Sequence, residues 1–271
     1  MTVAGRSSIE ALVEPLRAAP ASAAVLSDLD GTLAPIVSEP SAVAVPGEAR
    51  DLLGRLARGY ALVACVTGRR ALDARRIVGS DAIVYAGNHG LELLEPGRAE
   101  PTVAAGVAEQ AAAAREFVDA LDPDELAAAG LAVEDKGPIQ ALHWREARDG
   151  ARAAARAERV ADEARGAGLR PRRGRKVLEI RPSLPIDKGT AVAGLLAGRG
   201  VERALFGGDD RTDLDAFAAL DELRRAGRLR AAVRIGIASD EAPADLVERC
   251  DAVVEGTDGF LEVLRLLAAA T

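Results

Sequence analysis

The chain has 271 residues, 49% of them hydrophobic and 28% charged, which is the balance of a folded globular protein and excludes a disordered one. Its formal net charge of −7 argues against nucleic acid as a partner, since that binding rests on a basic face that neutralises phosphates. No stretch approaches the ~18 uncharged apolar residues of a membrane span, and no basic segment followed by an apolar one opens the chain. A cytoplasmic protein without a membrane partner is expected.

In chain order, a leading helix is predicted over the first ~20 residues, with bounds loose by a few positions. The apolar run from Ala21 predicts a strand at Val25–Leu26, and Ser27-Asp28-Leu29-Asp30-Gly31-Thr32-Leu33 follows it. Two residues apart on an extended chain, Asp28 and Asp30 point the same way, and Gly31 permits a sharp turn that a Cβ would hinder. A helix over Glu48–Arg58 and a strand over Leu62–Val66 come next. Thr67-Gly68-Arg69-Arg70 then sets a hydroxyl and a glycine between that strand and a helix over Ala71–Val78, a phosphate-binding context. The strand Ile83–Tyr85 leads into Gly87-Asn88-His89-Gly90-Leu91-Glu92.

The pattern changes over 101–182. A helix at Val103–Leu121, strands at Leu131–Glu134 and Ile139–Trp144, a helix at Arg148–Gly166 and two strands within Leu169–Ile180 predict a small antiparallel α+β insert. Arg170, Arg172, Arg173, Arg175 and Lys176 make a dense cationic cluster there that reads as a solvated hairpin turn. Beyond it, Pro185-Ile186-Asp187-Lys188-Gly189 opens a helix over Thr190–Gly198. The strand Leu205–Phe206 runs into Gly207-Gly208-Asp209-Asp210-Arg211-Thr212-Asp213, followed by a helix over Leu214–Ala226 and strands at Val233–Ile237 and Val253–Val254. Alternating strands and helices predict a mostly parallel sheet flanked by helices, with ligands bound beyond the carboxyl ends of the strands, where these motifs fall.

Of 35 basic residues only Lys136, Lys176 and Lys188 are lysines. A compact ammonium approaches a carboxylate and a phosphate oxygen together where a wide guanidinium does not, which singles out Lys188. Cys65 and Cys250 lack metal-ligand spacing and are expected to be buried thiols. For Asp209, Asp210, Asp213 and Asp215 helix capping stands beside a chemical role, and for Glu134 and Lys136 a cross-strand surface ion pair does. His89 and His143 are expected to be structural, and Trp144 to belong to the core of the insert.

The ordered motifs Asp28 to Leu33, Thr67, Lys188 and Gly208 to Asp213 resemble the haloacid dehalogenase superfamily. The resemblance implies a Rossmann-like α/β core over 1–100 and 183–271, an inserted α+β cap domain over 101–182, and Mg²⁺-dependent phosphatase activity. It implies Asp28 as nucleophile and Asp30 as general acid and base, with Thr67 and the Gly68 and Arg69 amides on the phosphoryl oxygens. Lys188 would neutralise charge, while the Asp28 carboxylate, the Asp30 carbonyl and Asp209 would hold Mg²⁺, supported by Asp210 and Asp213.

Within the superfamily the chain is similar to trehalose-6-phosphate phosphatases through Asp30 to Ile36, Gly87 to Glu92, Val133-Glu134-Asp135-Lys136 with His143-Trp144-Arg145, Leu178-Glu179-Ile180-Arg181-Pro182, and Gly208 to Phe217. That similarity implies a sugar-phosphate substrate, with Asn88 and Arg69 near the phosphosugar and Glu134, Lys136, Arg145 and Glu179 on the distal glucose. A phosphatase for another sugar phosphate, such as sucrose phosphate or a glucosylglycerate-type phosphate, a phosphomutase and a catalytically silent sugar-phosphate sensor stand as alternatives. The docking of a trehalose-phosphate synthase is left open.

Overall fold

The computed structural model describes residues 3–37, 43–174, 176–238, 243 and 245–269. Helix α1 (Arg6–Arg17) buries Ile9, Val13 and Leu16, one face at helical spacing. Strand β1 (Ala23–Ser27), helix α2 (Gly47–Gly59), strand β2 (Leu62–Val66), helix α3 (Ala71–Val78) and strand β3 (Val84–Gly87) then alternate. The short strands β4 (Glu92–Leu94) and β5 (Thr102–Val103) follow, and after them α4 (Val107–Asp119), α5 (Pro123–Ala128), β6 (Ala132–Asp135), β7 (Gln140–His143), α6 (Gly150–Gly166), β8 (Arg170–Gly174) and β9 (Val177–Arg181). Helix α7 (Lys188–Leu196), β10 (Arg203–Gly208), α8 (Asp213–Arg225), β11 (Ala231–Ala238), α9 (Leu246–Arg249), β12 (Ala252–Glu255) and α10 (Gly256–Ala268) complete the order.

The chain forms two compact units, Met1–Thr102 with Ile186–Thr271, and Val103–Pro185. In the first, the strands lie in the order β12-β11-β10-β1-β2-β3-β4-β5. Pairing is parallel from β12 to β3 and antiparallel from β3 to β4. All five residues of β1 are buried, and so are all five of β2, as sheets with helices on both faces require. Alternate residues feed two cores: Val25 and Leu205 pack with α1, α2 and α10, and Leu26 and Phe206 with α7 and α8. Phe206 meets Phe217 edge to face at 6.0 Å. Register fixes the chemistry: Ser27 pairs with Gly207 and with Cys65, so the residues after β1, β2 and β10 leave the sheet at one edge.

The second unit is an antiparallel sheet in the order β6-β7-β9-β8. Leu142, Leu178 and Ile180 lie on one face of it and pack with Ala114 and Val118 of α4 and with Ala157, Val160 and Ala161 of α6. The predicted α/β class, with its mostly parallel sheet, is observed.

Several local expectations are corrected. The compact unit covers Val103–Pro185, beside the 101–182 expected for the insert. The helix expected from Val103 starts at Val107, since Thr102–Val103 is extended, and α5 was not foreseen. Its signal lay in Asp122-Pro123-Asp124-Glu125: the Asp122 carboxylate accepts from the Asp124 and Glu125 amides with proline in the first turn, and Arg156 of α6 reaches Glu125 at 3.1 Å. The arginine cluster is an edge strand, β8, rather than a turn, with Lys176 in the turn at φ 52° and Arg175 outside the described residues. Cys65 is buried as expected, whereas Cys250 is only partly so. No helix among the described residues is long and apolar enough to cross a membrane.

Candidate active site

Asp28 follows β1 directly and is 5% exposed. Opposite it, Lys188 is the first residue of α7, which is capped by Asp187: the Asp187 carboxylate accepts from the Thr190 amide, and the Thr190 hydroxyl accepts from the Asp187 amide. The cap fixes where the ammonium enters. At 1% exposure, Lys188 Nζ lies 2.7 Å from Asp213 Oδ1, 3.0 Å from Asp28 Oδ1 and 3.8 Å from Asp210 Oδ1. The other Asp213 oxygen accepts from the Asp209 and Asp210 amides at 2.9 and 3.0 Å, so this side chain fastens the turn after β10 to α7. Asp210 Oδ1 accepts from the Thr212 amide and hydroxyl, both at 2.7 Å. The Asp213 amide also donates to Asp210 Oδ1 at 3.2 Å, so these carboxylates satisfy amides at the approach to α8, as expected of capping.

Burial raises the Asp28 carboxyl to about 8 against the pull of Lys188, with Asp210, Asp209 and Asp30 adding to the rise. Asp209 is raised to about 7, by burial and then by Asp213 and Asp210. Burial also opposes charge on Asp210, yet Lys188 and Thr212 hold it at about 2. Lys188 stays cationic: burial disfavours its charge, but Asp213 and Asp28 outweigh that and raise it. One buried cation thus faces a surplus of carboxylates.

That surplus is what a hard divalent cation fits. Carboxylate oxygens of Asp28, Asp209 and Asp213 all lie within 4.8 Å of one another and all three residues are buried. Gly31, at φ 82°, is part of the cradle, because a Cβ there would stand 2.1 Å from Asp209 Oδ2. Thr32 Oγ1 donates to Asp209 Oδ1 at 3.4 Å, a support that the sequence reading missed.

Thr67 emerges beside Asp28 at the end of β2. The Arg69 amide donates to Thr67 Oγ1 at 3.2 Å, so this amide, expected to face a phosphoryl oxygen, is engaged within its own turn. The Arg69 side chain makes two 2.7 Å bonds to the Asp30 carboxylate. Nothing in the spacing of residues 30 and 69 foretold that pair. Asn88 is fully buried, and its amide donates to the Arg69 carbonyl at 2.8 Å.

In the second unit Glu134, Ala141 and Glu179 stand opposite one another across β6, β7 and β9, and Arg172 of β8 continues the row. Directly paired residues project from one face of a sheet, so these side chains share the face opposite the apolar one. Lys136 Nζ reaches Glu179 Oε1 at 2.9 Å, and His143 Nε2 lies 2.6 Å from Glu134 Oε2. Glu134 and Lys136, for which a cross-strand ion pair stood as the alternative to sugar binding, thus each pair across strands. His143 holds the Glu134 carboxyl below its usual range. Trp144 packs on the core of the unit, and Arg145, just beyond β7, is exposed.

A family model described as Trehalose-phosphatase matches residues 26–247. A trehalose-phosphate phosphatase of Mycobacterium avium is 37% identical over 209 residues, which are 73% of this chain and 51% of that protein. An uncharacterized glycosyl hydrolase of Mycobacterium tuberculosis is 36% identical over 209 residues, 73% of this chain and 15% of that protein. The chain spans about half, or less, of the length of these curated relatives. Among solved structures, the C-terminal domain of C. albicans trehalose-6-phosphate phosphatase has a TM-score of 0.75 at 21% identity, covering 99% of this chain and 98% of that one. That likeness, shared with haloacid dehalogenase-like hydrolases, shows the expected fold. With the match running through every motif from β1 to β11, the chain belongs to the trehalose-phosphatase family.

Proposed function

We propose that this chain is a Mg²⁺-dependent phosphatase that hydrolyses trehalose 6-phosphate to trehalose and phosphate through an aspartyl-phosphate on Asp28. The observation that carries the reading is the buried contact of Lys188 with Asp28 at 3.0 Å, beside Asp209 and at the end of the sheet where Thr67 also emerges. Family membership and the named relatives supply the substrate class. The reading includes a cytoplasmic location, with which the free thiols agree.

In the first step Asp28 attacks phosphorus while Asp30 gives its proton to the departing sugar oxygen. In the second, Asp30 takes a proton from the water that attacks the aspartyl-phosphate, and phosphate leaves with Asp28 restored. Lys188 offsets the repulsion between the Asp28 carboxylate and the approaching phosphate. The Asp28 carboxylate, the Asp30 carbonyl and Asp209 would hold Mg²⁺, with Asp210 and Asp213 behind them, and the bound ion would supply charge neutralisation at the phosphoryl oxygens. Arg69 must release at least one Asp30 oxygen before Asp30 can donate, which makes its guanidinium available to the phosphosugar near Asn88. Thr67 Oγ1 and the Gly68 amide receive the phosphoryl oxygens. Glu134, Lys136, Arg145 and Glu179 bind the glucosyl unit that does not react, a reading supported by the shared face of Glu134 and Glu179.

Asp28→Asn removes the nucleophile while keeping its shape, so turnover of trehalose 6-phosphate should vanish with the thermal transition preserved. Wild-type-like turnover by this variant would overturn the assignment.

A further inference from the structure

Glu92 plays no part in the mechanism above, although it is 5% exposed and sits at the start of β4, remote in sequence from the loop after β2. Its Oε1 accepts from the Ala71 amide at 2.5 Å. Helix α3 has no side-chain cap of its own from Arg70, so Glu92 provides one from another element. Gly87 leaves room for the bond, since a Cβ there would stand 2.3 Å from the Ala71 nitrogen and 2.6 Å from Glu92 Oε1. The Asn88 side chain hydrogen-bonds the same carboxylate.

The rest of the 88–92 segment grips the same loop. The His89 amide donates to the Thr67 carbonyl at 2.9 Å, and the Asn88 amide to the Arg69 carbonyl at 2.8 Å. The His89 ring lies against Gly68, where a Cβ would stand 2.8 Å from it. Asn88 and His89 take φ values of 49° and 59°, a conformation that non-glycine residues adopt at a cost, and it aims both amides at the loop. Thr67, Gly68, Arg69 and Ala71 are thus each held by a residue between 88 and 92.

We propose that Glu92 is a positioning residue for phosphate binding: by anchoring the Ala71 amide and the Asn88 side chain it clamps the loop that presents the Thr67 hydroxyl and the Gly68 amide to the phosphoryl group. The inference rests on the phosphatase reading and adds a residue to it. Because the clamp acts on the group common to all substrates, its loss weakens every phosphate monoester alike and inorganic phosphate too.

The test is the competitive inhibition constant of inorganic phosphate, with KM for trehalose 6-phosphate and for an aryl phosphate, in Glu92→Ala, Glu92→Gln and the control Tyr60→Phe. The control loses a buried 3.1 Å bond to the Leu267 carbonyl away from the site. Glu92→Ala should raise the constant and both KM values by a common factor of about tenfold or more, the size of one lost charge-assisted bond. Glu92→Gln, which keeps the acceptor oxygen, should stay within about threefold of wild type, and Tyr60→Phe should not change. Unchanged phosphate inhibition in Glu92→Ala overturns the inference, as does an equal change in the control. Should Glu92→Ala fail to fold, Glu92→Asp takes its place, and unchanged inhibition there overturns the inference equally. A wild-type protein that hydrolyses no phosphate monoester defeats the phosphatase reading itself, whereas an active wild type with an unaffected Glu92→Ala defeats only the role of Glu92.

Discussion

Lys188 Nζ has Asp28 at 3.0 Å and Asp213 at 2.7 Å in a place that is 1% exposed, leaving no space for a planar guanidinium between the two. Lys188→Arg should keep the charge and lose the close approach, with kcat falling by about a hundredfold or more, ~3 kcal/mol. Retention of half of the wild-type kcat would show that charge alone suffices. Gly31 makes a complementary demand: at φ 82° a methyl group would meet Asp209 Oδ2 at 2.1 Å. Gly31→Ala should therefore raise the Mg²⁺ concentration needed for half-maximal activity, by about tenfold or more if Asp209 is displaced. An unchanged metal titration would mean that Asp209 does not hold the ion. At this scale the sequence showed which residues to examine but not whom they touch. Arg69 with Asp30, Lys136 with Glu179 and Glu134 with His143 join residues whose proximity depends on strand register or on long side chains meeting across loops.

In the proposed reading, the loops after β1, β2 and β10 carry the reacting groups, and the face of β6, β7 and β9 shared by Glu134 and Glu179 carries acceptors and cations for the sugar. Glu134→Ala, Lys136→Ala and Arg145→Ala should each cost about 1.5–3 kcal/mol in kcat/KM with trehalose 6-phosphate, and almost nothing with an aryl phosphate that lacks the glucose. Equal losses on both substrates would assign these residues to folding instead. The strands and helices of the first unit were legible because fully apolar runs such as Leu62–Val66 alternate with amphipathic stretches. Shorter elements were not: β4 and β5 have three and two residues, too few for any period, and their pairing comes from neighbours already in the sheet.

At the scale of the molecule, the central position of β1 between β2 and β10 brings Asp28 beside Lys188 and Asp209, although 160 and 181 positions separate it from them in sequence. Nothing local in Ala23–Ser27 states that partner. The class of fold and the ordered motifs were readable because each motif sits at the end of an apolar run, whereas strand order is a property of the assembled sheet. Phosphate release across a panel of sugar phosphates, measured with Mg²⁺ and again with excess EDTA, tests the proposed activity most directly. Trehalose 6-phosphate should give the highest kcat/KM, exceeding sucrose phosphate and glucosylglycerate-type phosphates, and EDTA should abolish turnover until Mg²⁺ is restored. Full activity after metal removal, or a clear preference for another sugar phosphate, would contradict the proposed activity.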